Sequence, residues 1–65
     1  MKAENIKTMN DLVEFINEQN QWSLEVENII ERNGWVNDCG EDCGVCHDDK
    51  GNKVIINDNG EAEYI

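Results

Sequence analysis

Residues 23–35, SLEVENIIERNGW, carry the signals for the start and the apolar face of a helix. Ser23 suits the N-cap position, because its hydroxyl oxygen can accept a hydrogen bond from a free backbone N–H group of the first turn. The apolar residues that follow recur every three or four positions and so share one face: Val26, Ile29 and Ile30. Trp22, just before the cap, lies on the same side. We interpret this stripe as core packing.

The same segment predicts where the helix ends. Gly34 is well placed as the residue that leaves the helix in a left-handed conformation, which glycine adopts without a steric penalty. In such a Schellman ending, Trp35 and Ile30 make a hydrophobic contact. The helix is therefore expected over about residues 24–33.

The preceding segment predicts another amphipathic helix, which begins after Thr8. Thr8 is a suitable N-cap, and Asp11 places a carboxylate in the first turn, where the helix dipole favours it. The sequence NQW, residues 20–22, ends the pattern. Two successive helices also suggest a helix-turn-helix, but the second lacks the basic surface of a DNA reader. The apolar face of the first consists of Met9, Leu12, Val13 and Ile16.

After Trp35 the hydrophobic period changes to that of strands. Three short runs have strand-like composition, and each separator between them contains a glycine, as a tight hairpin requires. On the middle run Val54 and Ile56 point one way and Ile55 the other, since side chains alternate along a strand. The runs are GVCHD (44–48), KVIIN (53–57) and EAEYI (61–65).

These elements predict an α+β fold: two N-terminal helices packed on one face of a C-terminal three-stranded antiparallel meander. A chain of 65 residues is long enough for one domain, which spans residues 1–65. At this length folding buries only about 60% of the surface of the unfolded chain. Small folds of this kind often need a disulfide, a metal ion or a second subunit for stability, so a homodimer stays open.

The chain is strongly acidic. Its 15 acidic and 5 basic residues give a net charge of −10. Nucleic-acid affinity depends largely on basic side chains that neutralise phosphates, so direct binding to DNA or RNA is not expected, nor is docking on an anionic membrane. The partner that such a field attracts is a basic protein surface. The few basic residues are scattered: Lys2, Lys7, Arg32, Lys50 and Lys53.

The N-terminal sequence MKAENIKTMN has no apolar run of signal-peptide length, and no segment is long enough to span a bilayer. The expected location is therefore the cytoplasm. In that reducing compartment cysteines are more often thiols or metal ligands than disulfides, and their odd number here agrees with this.

All three cysteines and the single histidine lie in one stretch, CGEDCGVCHDD, residues 39–49. Three thiolates and one imidazole form a tetrahedral ligand set for structural zinc. His47 is the weakest member, because neighbouring residues on a strand point to opposite faces and Cys46 precedes it. Asp42 or a second chain could supply the fourth ligand instead. The candidate metal ligands are therefore Cys39, Cys43, Cys46 and His47.

Two other motifs overlap the same stretch. The spacing C-x3-C-x2-C resembles the cluster-binding motif of radical S-adenosylmethionine enzymes, which need a barrel several times the length of this chain. An iron–sulfur cluster held by the three thiolates alone is a related interpretation. CGVCH, residues 43–47, fits the attachment motif of c-type haem. Only Met1 and Met9 are present for the second axial position, and few large side chains could build a haem pocket.

An enzymatic role is not expected. The pair Cys43 and Cys46 leads into a predicted strand, and the neighbouring carboxylates raise thiol pKa values instead of lowering them. His47 has no evident cleft around it. The stretch can also be explained without any ligand, with Cys46 packed as a small apolar residue, Cys39 and Cys43 in a turn, and His47 exposed. The carboxylates are Glu41, Asp42, Asp48 and Asp49.

The sequence therefore favours a small non-enzymatic protein that binds another protein, as an adaptor or inhibitor. Short length, acidity and many asparagines are typical of accessory proteins of phages and mobile elements. Carboxylates spaced over a rigid face would let such a protein mimic DNA and occupy a basic nucleic-acid-binding partner, although acids also simply keep small domains soluble. The alternative is a small zinc-stabilised structural domain that uses Cys39, Cys43 and Cys46.

Overall fold

The computed structural model describes residues 2–38 and 44–65 of the chain. After a short 3-10 helix, Ala3–Asn5, come two α-helices: α1, Met9–Gln19, and α2, Leu24–Arg32. Neither helix in this described part has the length or the apolar composition that a membrane crossing requires. The strands are β1, Val36–Asn37, β2, Val45–His47, β3, Lys53–Ile56, and β4, Ala62–Tyr64.

The predicted α+β architecture is confirmed, with one correction: the sheet has four strands where the sequence predicted three. The strands are antiparallel in the order β1-β2-β3-β4. The additional strand is β1, in which Val36 lies opposite His47 and Asn37 lies opposite Cys46. A strand of two residues is too short to show the alternation that identifies strands in a sequence. Its position is set instead by the end of α2 and by its pairing with β2.

Both helices begin at the predicted caps. The hydroxyl oxygen of Thr8 accepts a hydrogen bond from the backbone N–H of Asp11 at 3.1 Å, and that of Ser23 accepts one from Val26 at 3.3 Å. Such caps satisfy N–H groups that have no partner inside the helix and contribute about 1 kcal/mol each. At its other end α1 stops at Asn20, which adopts a left-handed conformation with φ 55°.

The predicted Schellman ending of α2 is also confirmed. The backbone N–H of Trp35 donates to the carbonyl of Ile30 at 3.0 Å, and that of Gly34 donates to Glu31 at 3.1 Å. Gly34 has a φ of 77°. The chain reverses here and leads directly into β1, so the end of α2 decides where the first strand begins.

The core lies between the helices and one face of the sheet, which we call the inner face and which contains Cys46, Val54 and Ala62. Trp22, Trp35 and Val13 pack against it and are partly buried. A fully buried large aliphatic side chain contributes about 1.5–3 kcal/mol, so packing of the two predicted stripes holds the helices in place. The buried residues before the sheet are Ile6, Met9, Leu12, Phe15, Ile16, Val26, Ile29 and Ile30.

The other side of the sheet, the outer face, carries the alternate residues of each strand. Val45 pairs with Ile55, and Ile55 pairs with Glu63, while His47 and Lys53 lie in the next row. Val45 and Ile55 are half-buried, whereas Val54 is completely buried. The predicted alternation along β3 is therefore confirmed.

The two hairpin turns are built alike. The side chain of Asp48 accepts hydrogen bonds from the backbone N–H groups two and four residues later, both at 2.9 Å. Asn57 does the same in the turn between β3 and β4, at 2.9 and 3.0 Å. Gly51 and Gly60 have φ values of 91° and 81°, as the predicted turns require.

Candidate functional site

The predicted metal ligands are only partly within the described residues. Cys39 and Cys43 lie outside them, as does the substitute ligand Asp42. Cys46 and His47 are neighbours on β2, and the structure does not bring them together: Cys46 enters the core from the inner face, while His47 lies on the outer face. Among the described residues, no group of three metal-binding side chains converges. The zinc site stays a prediction.

Cys46 is an inert thiol in this geometry. It is 0% exposed, and its burial raises the pKa to about 12, with Asp38 and Asp48 adding to the rise. The thiolate is the form that attacks electrophiles or binds metals, and it is strongly disfavoured here. Cys46 therefore packs as a small apolar residue, as the ligand-free interpretation expects.

His47 is oriented by a carboxylate that follows β1. Its Nδ1 atom lies 2.6 Å from Oδ1 of Asp38, and the two side chains are 39% and 23% exposed. Pairing of β1 with β2 sets this distance, since the backbone N–H of Asp38 donates to Val45 at 2.9 Å. In a neutral imidazole whose Nδ1–H donates to a carboxylate, the lone pair lies on Nε2. Metal-ligating histidines are commonly oriented in this way, as are general bases.

A groove of about 370 Å³ lies where the start of α1 meets the turn between β2 and β3. Lys7 and Lys50 line it together with Asp48 and Asp49. The carboxylate of Asp48 accepts hydrogen bonds from within the turn. The bond from the side chain of Asn52, at 2.9 Å, is the main cause of the lowered pKa of Asp48. Because groups of both charges line this groove, it favours no single class of ligand.

A smaller groove of about 240 Å³ runs between α2 and β1, and we call it the α2 groove. Glu27 and Glu31 are one turn apart on α2 and project on the same side. Trp22 positions the first of them, because its indole N–H donates to Oε2 of Glu27 at 3.1 Å. Both charged groups of the described lining are therefore negative. That lining is Glu27, Ile30, Glu31, Trp35 and Asn37.

Asn37 lines the α2 groove and is partly buried. Its Oδ1 atom is buried and has no hydrogen-bond partner within the part of the chain that the structure describes. Such an orphan costs roughly 1–3 kcal/mol, and buried polar atoms are rarely left in this state. The sequence did not single out Asn37, because β1 was not predicted. Glu27 and Glu31, in contrast, have a visible signal: two carboxylates four residues apart on a predicted helix.

The outward sides of the helices are acidic. Together α1 and α2 contain six carboxylates and one basic residue, Arg32. The apolar faces of both helices are buried in the core, so the charged faces are those that meet solvent. The six are Asp11, Glu14, Glu18, Glu25, Glu27 and Glu31.

No protein-family model matches the chain, and no curated protein or solved structure gives a significant match to it. Its function must therefore be inferred from its own residues and their geometry.

Proposed function

We propose that this is a non-enzymatic cytoplasmic protein that docks on the basic surface of another protein, as an adaptor or inhibitor. The observation that carries the proposal is the charge on the helices: six carboxylates and one arginine, on two helices whose apolar faces are already buried. A binding surface on this side therefore has to be charged. The net charge of −10 favours the same class of partner.

A nucleic-acid-binding protein is the finer form of this proposal. Carboxylates spaced over the two rigid helices would occupy the lysine and arginine side chains that otherwise neutralise phosphates. The protein then acts as a DNA mimic, a role that suits an inhibitor encoded by a phage or mobile element. Attraction between exposed charges is screened over about 10 Å at 0.1 M salt, so strong salt dependence is the expected signature.

The test starts from the immobilised full chain and an extract of the organism that encodes it. Proteins that elute with rising salt are identified, and a basic candidate is then purified. Its affinity for the full chain is measured by calorimetry at several salt concentrations. We expect the affinity to fall roughly tenfold or more between low and physiological salt. Affinity that does not change with salt would contradict the proposal.

Matched variants distinguish binding through the helical surface from a general effect of the net charge. The triple variant Glu14→Gln, Glu25→Gln and Glu31→Gln removes three charges from the helices. Its control removes three exposed charges elsewhere, at Glu4, Glu61 and Glu63. The first variant should weaken partner binding more than the control, and an equal loss in both would contradict docking through the helices.

Competition with nucleic acid tests the DNA-mimic form. Labelled DNA is first bound to the purified partner, and the full chain is then added. Release of the DNA supports mimicry, because both ligands then need the same basic surface. A ternary complex with DNA still bound would restrict the proposal to an adaptor.

A zinc-stabilised domain is the second candidate, and the Asp38–His47 pair is the observation that favours it, since a carboxylate commonly orients a zinc-bound histidine. Intact mass under native and denaturing conditions reports bound metal directly. Zinc in the native mass, together with a melting temperature that falls with chelator, would support this candidate. A metal-free mass and an unchanged melt would exclude it.

A further inference from the structure

We infer that Asn59, in the turn between β3 and β4, is a site of spontaneous deamidation, and that the end of α2 protects Asn33 from the same reaction. This modification goes beyond the proposed function and does not depend on it. The chain contains two Asn-Gly dipeptides, residues 33–34 and 59–60. Glycine has no side chain to hinder the approach of its nitrogen to the preceding asparagine, so both dipeptides are labile in an unfolded chain. The fold decides which of them reacts.

The reaction needs only water as a co-reactant. The backbone nitrogen of Gly60 loses its proton and attacks Cγ of Asn59, the bond from Cγ to the side-chain nitrogen breaks, and that nitrogen leaves as ammonia. The product is a five-membered cyclic imide. Water then opens either ring C–N bond, which yields aspartate or isoaspartate. In total one water is consumed, one ammonia is released and one carboxylate is gained.

Ring closure requires a rotation of the backbone in both dipeptides. The peptide group between the two residues has to turn until the nitrogen of the glycine faces Cγ of the asparagine. In the folded protein both glycine N–H groups are held in hydrogen bonds, that of Gly34 to the carbonyl of Glu31 at 3.1 Å and that of Gly60 to the carbonyl of Asn57 at 3.0 Å. Deamidation therefore proceeds from a locally opened state, and its rate depends on the free energy of that opening.

Asn33 is held closed by the core. With ψ at −3°, the nitrogen of Gly34 is turned away from Cγ of Asn33. The side-chain amide donates to the carbonyls of Ile29 and Ile6, at 2.9 and 3.3 Å, and is therefore fixed as well. Rotation here would undo the Schellman ending of α2, which positions the partly buried Trp35 against the core. Opening at this dipeptide is therefore costly.

Asn59 is held only at the surface. The residue is exposed, and its backbone makes the bonds that restrain it: its N–H donates to Oδ1 of Asn57 at 2.9 Å, and its carbonyl accepts from Nδ2 of Asn20 at 3.0 Å. Opening the turn breaks these bonds and that of Gly60 but leaves the core residue Ala62 in place. Exposed turn bonds break at a much lower free energy than core contacts, so the reactive state is populated more often here.

The first experiment follows both dipeptides in one sample. The folded full chain is incubated at mildly alkaline pH and digested with trypsin, which releases Asn33 in residues 33–50 and Asn59 in residues 54–65. Mass spectrometry with fragmentation locates the mass gain of an amide converted to an acid, and an unincubated sample corrects for the digestion. We expect Asn59 to deamidate at least about tenfold faster than Asn33. Equal rates, or a faster Asn33, would overturn the inference.

The unfolded chain shows whether the fold causes the difference. In concentrated urea the two dipeptides should deamidate at rates within about threefold of each other, because the structure that protects Asn33 is lost. A preference for Asn59 of the same size in urea and in buffer would mean that the sequence alone sets it, and would overturn protection by α2.

Matched variants assign the reaction to one residue. Asn59→Gln keeps an amide at this position, but its cyclisation requires a less favourable six-membered ring. The initial rate at which the intact folded protein gains mass should therefore fall at least about fivefold, whereas Asn33→Gln should change it less than about twofold. A larger decrease with Asn33→Gln would overturn the inference.

Asn20→Gly tests the restraint on the turn. Asn20 has a φ of 55°, which glycine adopts freely, so this variant keeps the end of α1 and removes the bond to the carbonyl of Asn59. Because that bond opposes rotation of the reacting peptide group, deamidation of Asn59 should become at least about twofold faster, with no change at Asn33. An unchanged rate at Asn59, or an equal increase at both dipeptides, would overturn reaction through local opening of this turn.

Discussion

The two faces of the sheet differ sharply, although they are only one residue apart along each strand. On the inner face Cys46 and Val54 are completely buried against the helices. On the outer face their neighbours Val45 and Ile55 are half-buried, and His47 is 39% exposed. The same substitution should therefore lower the free energy of unfolding more on the inner face than on the outer face. Variants on both faces measure the size of this difference.

The largest effect is expected from removing a large core side chain. Ile29 is completely buried in the core. The substitution Ile29→Ala should therefore lower the free energy of unfolding by about 2–5 kcal/mol. That is much of the roughly 3–10 kcal/mol expected for a domain of this length. Ile55→Ala on the outer face should cost less, because that side chain is partly exposed. Urea unfolding followed by tryptophan fluorescence measures both, and equal losses would contradict an open outer face.

The next effect is a loss of stability at alkaline pH caused by Cys46. Its pKa rises from 9.0 to about 12 on folding, so above pH 9 the unfolded chain releases a proton that the folded protein keeps. Stability is therefore unaffected by this group below pH 9 and falls above it by ~1.4 kcal/mol per pH unit, or about 3 kcal/mol by pH 11.

Cys46→Ala provides the control for this alkaline loss. Burial also raises the pKa of Tyr64, so both proteins share that contribution, and their difference isolates the thiol. Unfolding free energies are measured for both proteins between pH 8 and about pH 11. Parallel curves would contradict a buried, protonated Cys46.

A smaller effect is expected at the hairpin glycines. Gly60→Ala places a Cβ atom 2.5 Å from the backbone oxygen of Asn20 at the end of α1, whereas Gly51→Ala meets nothing within 4 Å. Both glycines have positive φ, so each change costs about 1 kcal/mol in strain, and the backbone clash should raise the cost at Gly60 to about 2 kcal/mol or more.

Thermal melting distinguishes the two glycine variants. A loss of 1 kcal/mol lowers the melting temperature of a domain of this length by roughly 4–8 °C, and Gly60→Ala should lower it about twice as far as Gly51→Ala. Equal shifts would mean that the end of α1 moves aside freely.

The smallest effect is expected at the pair of Asp38 and His47. Both side chains are partly exposed, so water and salt screen their interaction. A double-mutant cycle with Asp38→Asn and His47→Gln should give a coupling of about 0–1 kcal/mol. A coupling of several kcal/mol would contradict the outer position of His47.

Local features of the fold were predictable because their signals span only a few residues. Thr8 and Ser23 cap their helices as expected, and Gly34 ends α2 in the predicted Schellman motif. Gly51 and Gly60 adopt the positive φ of the predicted hairpins. Each of these features depends on contacts within about five residues along the chain, so no knowledge of distant neighbours was needed.

The candidate site was less predictable. The alternation along β2 correctly separated Cys46 from His47, since it is a local property of strands. Asp38 and Asn37 escaped detection because they depend on β1, a two-residue strand without periodicity. Glu27 and Glu31 of the α2 groove were visible in the sequence as a pair on a helix. Asn37, which lines the same groove, was not.

By itself, the sequence determined the two helices, their caps, the hairpin turns and the acidity of the exposed surface, and also the buried stripes except that of α1, where Phe15 is buried and Val13 only partly so. These follow from spacing and composition along neighbouring residues. Only the tertiary structure decided that a fourth strand exists, that Asp38 orients His47 and that Asn37 lines one groove with Glu27 and Glu31. Those relations need the reversal of the chain after α2 and its pairing with β2, which join residues beyond the reach of a single helical turn or tight turn.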